Sequence, residues 1–127
     1  MPQKDKFQLE YPIKCSARVL FNRLSTPGGL SEWFADDVNV SGEGIFTFIW
    51  DKFEQQASLV NIKEGSFVRF RWLDDDEKIY FEFRIAQDEL TGDVSLIITD
   101  FAESDEKEDS IELWDTQIAN LKKVLGS

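Results

Sequence analysis

The sequence contains no histidine, a single cysteine and no long apolar run, and each shortage removes a class of function. Without an imidazole, a serine or cysteine nucleophile lacks its usual base, so Cys15 has no candidate catalytic partner. Zinc sites are built from His and Cys clusters, so no metal is expected, and Asp74-Asp75-Asp76-Glu77 lacks calcium-loop spacing and reads as a polar turn. One cysteine forms no intramolecular disulfide; at the end of the first strand, Cys15 reads as a small packing residue. No apolar stretch approaches the roughly 20 residues a membrane helix needs, so membrane insertion is not expected. No charged, then apolar, then small-residue leader opens the chain, which makes a cytoplasmic location the default and removes the weight of the acceptor pattern Asn39-Val40-Ser41. Basic residues are also short: 14 Lys and Arg stand against 25 Asp and Glu, a net charge of −11. That charge repels phosphate backbones, and the basic residues are scattered, so no nucleic acid partner is expected. Gly42 and Gly44 lie between expected strands rather than before a helix, which leaves no phosphate loop and no expected cofactor.

What the chain has in excess is aromatic residues, with eleven Phe and four Trp among 127 residues. The length suits one domain over residues 1–127, able to bury roughly two thirds of its unfolded surface. Phe7, Leu9, Tyr11 and Ile13 alternate with mostly polar residues and predict a half-buried strand. Ser16 then caps a helix bearing Ala17, Leu20, Phe21 and Leu24 on one face, and Thr26-Pro27 starts a second short helix that buries Leu30, Trp33 and Phe34. From Asp36 the period changes to two, and polar turns with Gly or Asp divide strands near 37–41, 44–51, 53–62, 66–73, 78–88 and 93–101. The acidic run Glu103 to Asp109 reads as a solvated loop and a negative first helical turn. Ile111, Trp114, Ile118, Leu121 and Leu125 then form the apolar face of a long helix, with Lys122 and Lys123 in its last turn and Gly126 at its end. The order β-α-α-β6-α is an α+β fold in which a seven-stranded antiparallel sheet curves around the one helix long enough to cover it.

This order resembles the START-like, or SRPBCC, helix-grip superfamily of pollen allergens, polyketide cyclases, lipid-transfer domains and chaperone-ATPase activators. The residues that carry the resemblance are Ala17 to Phe34, Gly44-Ile45-Phe46-Thr47-Phe48, Val68-Arg69-Phe70-Arg71-Trp72, and Trp114 with Asn120-Leu121-Lys122. Together they look most like the chaperone-activator branch. The resemblance implies a cavity between the concave sheet and the C-terminal helix. Strand parity turns Phe46, Phe48 and Trp50, then Phe70 and Trp72, then Phe81 and Phe83 toward it, with Trp33, Trp114 and Ile118 contributed by helices. The same rings could instead fill the interior solidly, since bulky aromatics close a wide curved sheet without voids.

Opposite parity sends Arg69, Arg71, Glu82 and Arg84 outward as a solvent-side charge ladder. For acid–base chemistry, Asp51 and Asp100, both expected at strand ends, are the carboxylates to consider, though each reads more simply as a turn residue. With few polar groups expected to face inward, the leading function is a non-enzymatic module holding a hydrophobic small molecule such as a lipid or aromatic metabolite. The resemblance supports, as alternatives, a protein-interaction module like the chaperone activators and a cyclase- or hydrolase-like enzyme. A homodimer through a sheet edge or an exposed apolar patch is also open.

Overall fold

Alternating and helical periodicities produce strands and helices in the order β1 (Lys4–Ile13), α1 (Ala17–Ser25), α2 (Pro27–Leu30), β2 (Asp37–Val40), β3 (Ile45–Trp50), β4 (Phe53–Lys63), β5 (Phe67–Trp72), β6 (Phe81–Gln87), β7 (Val94–Glu103) and α3 (Lys107–Leu125). The computed structural model describes residues 3–127. The strands form one antiparallel seven-stranded sheet ordered β1-β7-β6-β5-β4-β3-β2, so every strand after β1 lies beside the next in sequence and β7 returns to pair with β1. A register shift between Leu59 and Asn61 inserts an extra residue in β4. Such a bulge bends its strand and increases local twist, which helps the sheet curve around α3.

Two expected boundaries move for local reasons. β1 begins at Lys4 rather than Phe7, because Lys4, Asp5 and Lys6 find ladder partners in Glu103, Ala102 and Phe101 of an equally long β7. β6 begins at Phe81 rather than near residue 78, because the preceding segment is spent on a turn. There the Lys78 amide donates to Asp76 Oδ1 at 2.9 Å and the Ile79 amide to the Asp76 carbonyl at 3.0 Å.

Side-chain oxygens start both short helices. Ser16 Oγ accepts from the Val19 amide at 3.2 Å, and Thr26 Oγ1 from the Gly29 amide at 2.9 Å with Pro27 next to the cap. Each oxygen satisfies an amide that the first helical turn leaves unpartnered. The second helix is only four residues long; Trp33 and Phe34 lie in the turn after it, where the Phe34 and Ala35 amides both reach the Leu30 carbonyl. At the other end of the chain, Gly126 adopts φ 71°, and the Ser127 amide donates to the Lys122 carbonyl at 2.8 Å. This left-handed stop closes α3 without a Cβ penalty.

α3 buries Trp114, Ile118 and Leu121 against the concave sheet face, where Phe48, Phe70, Phe81 and Phe83 are essentially inaccessible. Each fully buried ring of this kind contributes about 1.5–3 kcal/mol. Tyr11 Oη donates to Asp115 Oδ1 at 2.6 Å and ties edge strand β1 to the helix. No helix among the described residues is long and apolar enough to cross a membrane.

The convex face differs from the expected solvent-side ladder. Glu82 is only 4% exposed, enclosed by Arg69, whose Nη2 lies 2.9 Å from its Oε1, and Arg84, whose Nε lies 3.2 Å from its Oε2. The two guanidiniums in turn cap the rings of Tyr80 and Phe67 at 4.1 and 4.2 Å. Burial opposes ionisation of Glu82, but Arg84 and Arg69 together outweigh it and hold its carboxyl below the usual range. Parity gave the correct face; the long arginine stems supply the cover. Among the described residues, Arg71 forms no ion pair with this cluster.

The α1–α2 junction generates a paired prediction. A Cβ on Gly29 would collide with the Asn22 carbonyl oxygen and approach the Arg23 Cα to 2.7 Å, whereas one on Gly28 meets nothing within 4 Å. Gly29→Ala should therefore destabilise the fold by about 1–3 kcal/mol. Gly28→Ala should be neutral or stabilise by up to about 1 kcal/mol. Urea denaturation of both variants checks the contrast, and equal midpoints would contradict it.

Candidate functional site

Concave-face rings do not fill the whole space beneath α3. A cleft of about 470 Å³ remains between the helix and the β3–β5 end of the sheet. Strands supply Trp50, Phe53 and Gln55 from the β3–β4 hairpin, Trp72 from β5, Phe81 from β6 and Asp100 from β7. The helix supplies Ser110, Leu113, Trp114 and Gln117, which recur at three and four and so form one stripe. Phe53 and Leu113, 59% and 60% exposed, mark the mouth.

Phe34 forms the inner end. Its ring lies within 5.1–5.9 Å of six others, those of Trp33, Phe48, Trp50, Phe81, Phe83 and Trp114. Its carbonyl accepts from Trp50 Nε1 at 2.8 Å and Gln117 Nε2 at 3.2 Å, which joins the turn after α2 to β3 and α3. A second surface cleft, of about 540 Å³, adjoins the first across Phe34, Trp50, Leu113 and Gln117, and is lined also by Trp33 and charged residues such as Glu32 and Lys123.

The ten residues expected to face the cavity, seven by strand parity and three from helices, therefore divide into groups. Trp50, Trp72, Phe81 and Trp114 line the aromatic cleft, and Trp33 lines the adjoining one. Phe46, Phe48, Phe70, Phe83 and Ile118 are buried in the packed core, none more than 4% exposed, and line neither cleft. The interior is thus filled at one end and open at the other.

Polar lining is richer than parity reasoning expected. Asp100 is the clearest case: it is not at a strand end but inside β7, on the inward-facing row with buried Leu96, Ile98 and Ala102. Trp114 Nε1 donates to its Oδ2 at 2.8 Å, and the Phe101 amide to its Oδ1 at 2.7 Å. Burial pushes its carboxyl above the ordinary value, and these two donors offset the effect only in part. Among the described residues no Lys or Arg forms an ion pair with it; Lys4, the cation that acts on it from a distance, is bonded to Asp75 at 2.8 Å.

The other carboxylate considered, Asp51, is exposed in the two-residue β3–β4 turn at φ 39°, its amide donating to Asp36 Oδ2 at 2.7 Å, and does not line the cleft. Burial raises the Cys15 thiol, which disfavours the reactive thiolate. No group of three side chains able to hold a metal converges among the described residues.

The Asp100 environment predicts a pH-dependent stability term. Because its folded pKa lies above the unfolded value of about 3.9, its contribution is fully present below that value and is lost as pH rises through the folded pKa. The melting temperature of the wild type minus that of Asp100→Asn should therefore fall as pH rises above the unfolded value of about 3.9. Lys4 and Asp75 act on the site in both proteins and largely cancel in the difference. A difference that stays flat or rises with pH would contradict the assignment.

Comparison with known proteins places this geometry in a family. No curated protein matches the sequence. Among solved structures, a Bacteroides fragilis protein studied in solution shares 45% identity over 98% of this chain and 93% of its own, with a TM-score of 0.67. The Aha1 dimer from Colwellia psychrerythraea superposes at a TM-score of 0.78 with 17% identity, covering 95% and 96% of the two chains. DynU16, from the dynemicin biosynthetic locus, reaches 0.82 with 11% identity over 98% of this chain and 48% of its own. These last two show likeness of fold alone. The family model for the START-like superfamily domain matches residues 1–127, and the chain belongs to that superfamily.

Proposed function

We propose that the protein binds a hydrophobic small molecule in the cleft between α3 and the concave sheet. The observation that carries this reading is the cleft itself: about 470 Å³, walled mainly by Trp and Phe rings, with only Gln55, Asp100, Ser110 and Gln117 as polar side chains. That volume and balance suit a ligand with an apolar body and one or two polar groups. START-like folds commonly bind hydrophobic ligands, which supports the same reading. Half-exposed Phe53 and Leu113 at the mouth give such a ligand apolar surface to cover. Nothing in the reading requires chemistry on the ligand, so its role is holding or presenting it rather than converting it.

The test uses N-phenyl-1-naphthylamine, a neutral apolar fluorophore that accepts energy from tryptophan. Three of the four Trp residues line the cleft, so a bound probe should quench their emission with one-to-one stoichiometry. Ser110→Trp places a ring in the cleft and should weaken binding roughly tenfold, with an unchanged far-ultraviolet spectrum. Failure of the wild type to bind, or equal binding by the blocked variant, would refute the proposal.

A further inference from the structure

The cleft combines two features that neutral lipids and acidic metabolites do not need: a wall of tryptophan and phenylalanine rings, and a carboxylate with no ion-pair partner among the described residues. We infer that its ligand is a small organic cation, an ammonium or alkylated amine carried on an apolar or aromatic body. This inference rests on the ligand-binding reading above and narrows it to one charge class.

The charge argument begins at Asp100. Its oxygens each accept one hydrogen bond, from Trp114 Nε1 and the Phe101 amide, and each retains acceptor capacity. Neither donor carries a charge, so the carboxylate is solvated by dipoles but not neutralised. Among the described residues the cleft is lined by no Lys or Arg, so an anionic ligand would meet Asp100 with nothing to offset the repulsion. The first turn of α3, whose dipole alone would favour an anion, carries Glu108 and Asp109 instead. At long range the net charge of −11 draws cations toward the surface and repels anions.

The ring argument is independent of the first. Aromatic faces attract a cation through their quadrupole, most strongly for tryptophan, and the attraction grows when the site is partly dry. Trp50 of β3 and Trp72 of β5 lie 6.3 Å apart across β4, with Phe81 4.8 Å from Trp72. Trp114 brings both elements together, since its indole lines the cleft while its N–H holds the Asp100 carboxylate. A ligand cation thus finds rings for its alkyl groups and a carboxylate for its charge, and the rest of its body takes the apolar mouth.

Three probes of nearly one shape and different charge test this: benzyltrimethylammonium, its uncharged carbon isostere neopentylbenzene, and the anion benzylsulfonate. Tryptophan emission follows binding at pH 8 and low salt. The cation should bind at least roughly tenfold more tightly than the neutral isostere, and the anion should not bind measurably. Asp100→Asn should remove most of that advantage, read as the ratio of the cation's affinity to the neutral isostere's within each protein. Neutral and cationic probes binding equally to the wild type would overturn the charge selectivity while leaving the hydrophobic-ligand reading intact. Binding by none of the three, together with failure of the neutral fluorophore, would overturn both.

Discussion

The arrangement depends most on Phe34, a residue in a turn rather than in any helix or strand. Its ring is the meeting point of rings from β3, β6, α3 and the preceding turn, and its carbonyl receives hydrogen bonds from an indole of β3 and an amide of α3. A buried carbonyl has to be satisfied, and here the partners belong to the two layers the fold brings together. One residue therefore fixes how the helix pair, the sheet and the long helix sit against one another. Since Trp50 and Gln117 are held by that carbonyl and also line the cleft, the same contacts that organise the core set the cleft's inner boundary.

The curved sheet explains why one end is filled and the other open. Near β5 and β6, Phe70 and Phe83 pack against Phe46, Phe48 and Phe81 with centroids 5.0–6.5 Å apart, mostly edge to face, which leaves no room for a guest. Between its first turn and its middle, α3 presents Ser110, which is short, and Gln117, whose amide is already turned to Phe34. Smaller and polar side chains on the helix stripe thus create the space that the strand rings only border. A void surrounded solely by large apolar side chains would forfeit dispersion contacts and tend to collapse, whereas a partly polar, open-sided one can hold water until a ligand displaces it.

Much of the architecture was legible in sequence because it depends on local signals that tertiary packing reinforces. Alternation located the strands, Ser16 and Thr26 marked helix starts, and the Trp114–Ile118–Leu121 spacing gave the closing helix. The site was less legible. Parity reports which face a side chain occupies and cannot tell a ring that lines space from one that fills it, so Phe48 and Trp50, two residues apart on one strand face, read alike although one is fully buried and the other borders the cleft. Asp100 carried a usable signal, a carboxylate on the inward row of Leu96, Ile98 and Ala102, obscured by placing the strand's end at residue 101 rather than 103. Gln55 carried a similar one, sharing the inward row of Phe53 and Ala57 in β4. Leu113 and Gln117 were not legible, because a second helical stripe declares itself only once the neighbouring sheet is seen to fall short of it.

Two carboxylates on opposite faces of the same sheet show how differently one fold treats two charges that burial disfavours. Glu82 and Asp100 both lose water to burial, and that loss alone would raise both. Glu82 receives two guanidiniums in direct contact, which reverse the effect and leave it an ionised, satisfied structural group. Asp100 receives an indole and a backbone amide, which orient it without neutralising it. Placing one of the chain's scarce basic residues beside Asp100 would have relieved that penalty. Instead Lys4, the basic residue that acts on it, is engaged by Asp75, and Asp100 retains a penalty that the packing around Trp114 must offset. A carboxylate held at such a disadvantage on the wall of an open cleft would be relieved by the positively charged guest inferred above and made worse by an anionic one.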